Sequence, residues 1–229
     1  MKTRIESDSM GELKVPEDAL YGAQTQRAIN NFPVSGKSMP EAFVRALLVA
    51  KSAAAQANTS LGLLAPNVGN AITGVVQELL QSPELMSHFP VDVYQTGSGT
   101  SSNMNANEVL ATLASSKTGE SVSANDHINY GQSSNDIIPT CIHISAAVEV
   151  RERLLPALEH LHEVILVKAK KVDHHIKTGN PKALYGVLVV FAVPAPKDSA
   201  KDHRVQRFNA TTKDTWKSRN CLHGRYRNA

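Results

Sequence analysis

Apolar residues recur at helical spacing in four stretches of this chain, with polar loops between them. In residues 40–61, Phe43, Ala46, Leu47, Ala50, Ala54 and Ala57 return every three or four positions. Pro40 suits a first helical turn and Gly62 a stop. Residues 67–81 repeat the pattern with Ile72, Val75, Val76, Leu79 and Leu80 on one face, weakened by Gly69 and Gly74. In residues 103–117, Val109, Leu110 and Leu113 mark a third helix, ended by Gly119. The longest run, residues 137–176, carries Ile138, Cys141, Ile142, Ile144, Ser145 and Val148 on one face, continued by Leu154, Leu158, Leu161 and Ile165. Pro156 cannot donate to the turn before it and is expected to divide this run into two helices. Residues 1–39 read as irregular or weakly extended, with a short strand over 11–16 and an amphipathic segment over 19–28. Residues 91–95 read as extended. The pattern predicts an all-α protein with irregular loops.

Two of those loops carry candidate chemistry. Gln132, Ser133, Ser134, Asn135 and Asp136 close a polar run just before the longest helical pattern. Gly97, Ser98, Gly99 and Thr100, followed by Ser101, Ser102 and Asn103, repeat that chemistry before the preceding helix. Unpaired N–H groups at a helix start, the helix dipole and neighbouring hydroxyls together suit a small anion. Two such loops suggest a ligand held by more than one carboxylate. Arg27 is either a further carboxylate partner or one half of a surface ion pair.

Charge divides the chain. The net charge is +3, yet residues 180–229 hold ten Lys and Arg against three Asp, a net of +7 that leaves −4 for the first 179 residues. Residues 184–193 are β-branched and too short for a membrane span, and residues 197–229 are polar, basic and aperiodic. That tail reads as solvated or disordered, with nucleic acid the less favoured partner despite Phe208, Trp216 and Tyr226 among the basic residues. No apolar run reaches bilayer length and residues 1–6 hold no apolar signal core, so the expected location is the cytoplasm, without a membrane partner. Cys141 and Cys221 have no metal-ligand spacing, and Cys141 reads as a small core residue.

Four stretches in one order resemble class II fumarases of the aspartase/fumarase superfamily. They are Asp8-Ser9-Met10-Gly11 with Val15-Pro16, Ala19 through Arg27, Gly97 through Glu108, and Asn125-Asp126-His127 through Asp136. The resemblance covers roughly residues 4–179. It implies an N-terminal lyase domain over residues 1–136, the start of a central helical bundle over 137–179, and a divergent basic tail over 180–229. It further implies reversible hydration of fumarate to (S)-malate by a carbon–oxygen lyase with no metal or organic cofactor, in a homotetramer whose active sites draw on three subunits. The substrate-binding residues it implies are Ser98, Gly99, Thr100, Ser133, Ser134 and Asn135. Neutral donors of this kind hold a dicarboxylate and stabilise the aci-carboxylate formed when a proton leaves the adjacent carbon. The family's accessory dicarboxylate site lies near a His-Pro-Asn-Asp run. Here the run reads Ser123-Ala124-Asn125-Asp126, without the His and Pro, and His127 reads as a packing or surface residue.

The resemblance ends near Gly179. Family members continue with Arg-Thr-His, whose His is catalytic, and later with a mobile loop carrying a catalytic Ser; here Asn180-Pro181-Lys182 stands instead. The expectation is a truncated fumarase whose tail comes from a reading-frame shift, impaired alone, with exposed apolar helix faces that favour self-association or aggregation. Competing readings are an aspartase-like ammonia-lyase and a non-catalytic fragment that joins intact fumarase subunits.

Overall fold

A computed structural model describes residues 2–172; the readings for residues 173–229 lie outside them. The order of elements is a β-hairpin followed by six helices, so the all-α expectation holds for the body of the chain. Strand β1 (Thr3–Asp8) pairs antiparallel with β2 (Gly11–Pro16), Thr3 opposite Pro16 and Asp8 opposite Gly11. The strand over 11–16 was legible; its partner was not, because β1 is polar at most positions and only β2 buries a side chain, Val15. Arg4 ties the hairpin to the approach to the first helix, donating to the carbonyls of Pro16, Glu17, Ala19 and Tyr21.

Helix α1 (Ala23–Asn31) starts where Glu108, reaching from a distant helix, accepts hydrogen bonds from the N–H groups of Gly22, Gln24 and Thr25 and from the Thr25 hydroxyl. The carboxylate caps the orphan donors of a helix start that has no cap of its own. Arg27 is claimed by Asp8, through Nε at 2.9 Å and Nη2 at 2.7 Å, with the Gly11 carbonyl at 3.2 Å. Of its two sequence readings, the ion pair is the one observed.

The core is built by α2 (Glu41–Ser60), α3 (Pro66–Gln81), α4 (Thr100–Thr118) and the start of α5 (Ser134–Glu149). Leu47, Leu48, Ile72 and Leu110 are fully buried there, each worth about 1.5–3 kcal/mol. The buried face of α2 is wider than expected: Phe43, Ala46 and Leu47 are buried as the period implies, Val44, Leu48, Lys51 and Ala55 join them, and Ala57 faces water. Gly69, which weakens α3 on propensity, is there for contact. A Cβ at that position would stand 2.0 Å from the Thr59 hydroxyl of α2. Residues 91–95 form no strand, only a single bridge between Ser38 and Asp92. Burial raises the Asp92 carboxyl, but the N–H groups of Tyr94, Ser35 and Gly36 and the Ser35 hydroxyl outweigh it and hold it at about 2.

Pro156 does not divide the last run. Helical backbone angles continue from α5 through a widened π turn (Val150–Leu154) into α6 (Leu155–Val172). The widened turn sits just before Pro156, where the ring would clash with the carbonyl four residues back and no N–H exists to bond it. Among the described residues no helix is long and apolar enough to cross a membrane.

Candidate functional site

Both polar loops reach their helices sooner than the sequence suggested. Helix α4 begins at Thr100 rather than Asn103, after a tight 3₁₀ turn over Gly97–Gly99. Ser98 and Gly99 are both left-handed, with φ of 57° and 63°. Ser98 is the one non-glycine residue with positive φ among those described. That conformation costs a serine energy. Helix α5 begins at Ser134 rather than Ile137, because Ser133 caps it through the Asn135 N–H at 3.2 Å.

The two helix starts meet within one chain. Asn103 of α4 donates to the Ser134 hydroxyl of α5 at 3.0 Å. Gly99 lies so close to α5 that a Cβ would stand 3.2 Å from the Ile138 side chain. Ser98, Gly99, Thr100, Ser133, Ser134 and Asn135 therefore border one region of this chain.

The geometry corrects how that region could hold an anion. On α4, the N–H of Ser101 bonds the Thr96 hydroxyl and that of Ser102 bonds the Gln95 side chain. On α5, Ser133 takes the N–H groups of Asn135, Asp136 and Ile137. The helix-start amides expected to bind an anion are largely spent, which leaves side chains as the candidate donors. Among the described residues, the Ser98 hydroxyl and the Asn135 amide group have no partner, and both residues are exposed. Ser133 and Ser134 use their oxygens as acceptors and keep their protons to donate. Thr100 is the least free, since its hydroxyl donates to the Gly97 carbonyl at 3.0 Å.

Two of the accessory residues, Ser123 and Asp126, are engaged with each other. Ser123 caps a short π turn (Ala124–Ile128), accepting the Asp126 N–H at 3.1 Å and donating to the Asp126 carboxylate at 2.8 Å. Asn125 is exposed on the same turn. His127 accepts the Ser123 N–H on Nδ1 at 2.8 Å, a structural role in line with the packing reading.

Sequence reasoning missed Lys51. It is fully buried, and its Nζ donates to the side-chain oxygens of Asn129 and Gln132, both at 2.9 Å. Asn129 accepts from Asn103 on the same oxygen at 3.2 Å, so a chain of hydrogen bonds runs from Lys51 to Ser134. Burial lowers the Lys51 amine to about 7, with a small opposing influence from Cys141. Cys141 is the core residue expected; burial pushes its thiol up to about 11. The missed signal was a lone lysine four residues after Leu47 and four before Ala55, on the stripe that α2 buries.

A two-stranded hairpin leading into a helical body, with two hydroxyl-rich helix starts brought together, places the protein in a class, and the sequence agrees: the lyase family profile matches residues 11–181, and the chain belongs to that family. Its relatives are more particular. It is 67% identical over 177 residues to class II fumarate hydratase 2 of Pseudomonas aeruginosa, covering 77% of this chain and 38% of that protein. It is 53% identical over 189 residues to the class II fumarate hydratase of Xylella fastidiosa, covering 82% and 40%. In structure it is similar to the class II fumarase of Schistosoma mansoni, with a TM-score of 0.71 at 39% identity over 74% of this chain and 37% of that one. It is also similar to the fumarate lyase:delta crystallin of Brucella melitensis, with a TM-score of 0.72 at 38% identity over 78% and 43%. The chain spans about two fifths of the length of the relatives it matches.

Proposed function

We propose that this chain is the substrate-gripping part of a fumarate hydratase-type lyase, which interconverts fumarate and (S)-malate. The observation that carries the reading is the meeting of the α4 and α5 starts, joined by Asn103 and Ser134. Ser98, Ser133, Ser134 and Asn135 are its donors, Thr100 joins them only on releasing the Gly97 carbonyl, and Gly99 is the residue whose missing Cβ lets the loops approach. Hydroxyls and a neutral amide hold a dianion while leaving its charge free to redistribute. Removing a proton from the carbon beside a carboxylate builds an aci-carboxylate, and donors already aimed at that charge lower the barrier. General acid–base chemistry needs a further positioned donor and acceptor. In this reading those are the family's His and Ser beyond the matching stretch, so the chain alone binds without turning over. An accessory site at Ser123, Asn125 and Asp126 stands outside this reading, and Asp126 and Ser123 hold each other.

The reading also includes a boundary near residue 136 between an N-terminal domain and the first bundle helices, a divergent segment from residue 180, and a cytoplasmic setting. A second reading is favoured by one observation. Apolar side chains on α5 and the helical turns after it face water, among them Ile142 at 51%, Leu154 at 49% and Val164 at 47% exposure. They suit burial against helices of intact class II fumarate hydratase subunits, or of further copies in a tetramer.

Fumarate titrated into the labelled full chain, followed by NMR, tests the first reading. Saturable shifts at residues 98–100 and 133–135, lost in Asn135→Ala, are expected, with no malate formed. A folded chain that shows no shift at millimolar fumarate overturns it, and clear turnover overturns the claim that the proton-moving groups lie elsewhere.

A further inference from the structure

We infer that Lys51 is a positioning residue for the dicarboxylate site: it holds the amide oxygens of Asn129 and Gln132 and through them sets the start of α5, where Ser133, Ser134 and Asn135 present their donors. The inference rests on the reading of the α4 and α5 starts as the fumarate grip.

Four observations carry it. A buried ammonium is costly to keep unless it is paired, yet among the described residues no carboxylate pairs with Lys51. Its partners are two neutral side-chain oxygens on the loop that leads into α5. Charged, the lysine only donates, and neutral it still has two N–H groups for the two oxygens, so it favours both amides with oxygens inward and NH₂ groups outward. The outward groups then close the loop on itself. Asn129 Nδ2 donates to the Gln132 carbonyl at 3.1 Å, and Gln132 Nε2 donates to the Ile128 carbonyl at 2.9 Å.

The same orientation reaches the site. With its oxygen inward, Asn129 accepts from Asn103, whose amide in turn donates to Ser134. Turn the Asn129 amide over and Asn103 loses an acceptor in a buried place, where its own Oδ1 already has no partner. The start of α5 is thus set from beneath by a side chain of α2 that touches no ligand. Lys51 also places a positive charge behind a row of neutral donors, where it attracts a dianion without bonding it. Burial brings the amine to about 7, so that charge is present on part of the population at neutral pH.

The test uses the full chain with fumarate as the probe. In Lys51→Met, which keeps the length and loses the donor, amide exchange over residues 129–135 should quicken at least tenfold. Exchange over Ile72 to Leu79 should hold, and the fumarate Kd should rise at least fivefold. Asn129→Ala cuts the same chain of bonds at a half-buried loop position and should reproduce both effects, which keeps the inference testable if Lys51→Met does not fold. Ile72→Val, a core change away from the loop, should alter neither readout and separates positioning from general loss of stability. Unchanged exchange and Kd in a folded Lys51→Met, or in Asn129→Ala, overturn the inference. A wild-type chain that binds no fumarate fails the dicarboxylate reading instead, while quickened exchange in Lys51→Met still supports the hold of Lys51 on the loop.

Discussion

The buried Lys51 makes stability depend on pH in an unusual direction. Its amine has an ordinary value of 10.5 and is brought down to about 7 in the folded chain by burial. Between those values the unfolded chain carries a proton there that the folded chain has shed. The unfolded state binds more protons, so folding becomes more favourable as pH rises. Below pH 7 both states carry the proton and the cost of burying it is fully present. Cys141 limits the window from above. Its thiol titrates at about 9 when unfolded and is held to about 11 when folded, which removes stability as pH climbs past 9. From pH 7 to 9, then, Lys51 alone of these two acts, with a slope approaching about 1.4 kcal/mol per pH unit. The gain across the window is roughly 2–3 kcal/mol. Urea unfolding of the full chain, followed by helix circular dichroism at several pH values across the window, measures it. Lys51→Met should flatten the slope. Its own stability at pH 7 should differ little from the wild type. It gains by burying no charge but leaves two amide oxygens short of a donor, at about 1–3 kcal/mol each. A wild-type slope near zero, or the same slope in Lys51→Met, refutes the reasoning.

Other contacts carry expected outcomes of their own. Gly69→Ala should destabilise the chain by about 1–3 kcal/mol in urea unfolding, because its Cβ meets Thr59. In a Thr59→Ala background the same change should become neutral or stabilising, since alanine then contributes only its helix propensity. Glu108→Ala should cost roughly 2–4 kcal/mol and speed amide exchange over Gly22 to Ala28, because four donors at the start of α1 lose their acceptor. Size-exclusion chromatography of the full chain should show association that deepens with concentration, reduced in Leu154→Glu with Leu161→Glu, both being exposed leucines. A monomer that resists concentration would count against the role given to that apolar face.

The pattern of apolar positions determined most of the helices. Period alone marks the buried faces of α3 and α4, through Ile72, Val75, Val76, Leu79, Val109 and Leu110. It also singled out two candidate loops, because serine, threonine, asparagine and glycine are dense at both helix starts, although the same residues serve as caps and turns. Local pattern could not reveal β1, whose place depends on pairing with β2, or the partners of Glu108, which lie more than eighty residues away. It could not decide Arg27 either, since an ion pair and a ligand contact ask for the same residue, and only proximity to Asp8 separates them.

The tertiary structure decided what the two loops are. Read along the chain, Ser98 to Thr100 and Ser133 to Asn135 looked like two anion cradles made of helix-start amides. Folding brought them side by side and spent most of those amides on Thr96, Gln95 and Ser133, leaving side-chain donors to face outward. It also turned Lys51, a polar interruption in an apolar stripe, into the group beneath them. The reason is physical. Periodicity is a property of neighbours in sequence and survives in the sequence alone. Which donor is spent and which is free depends on distances between residues far apart in the chain, and only packing sets those distances.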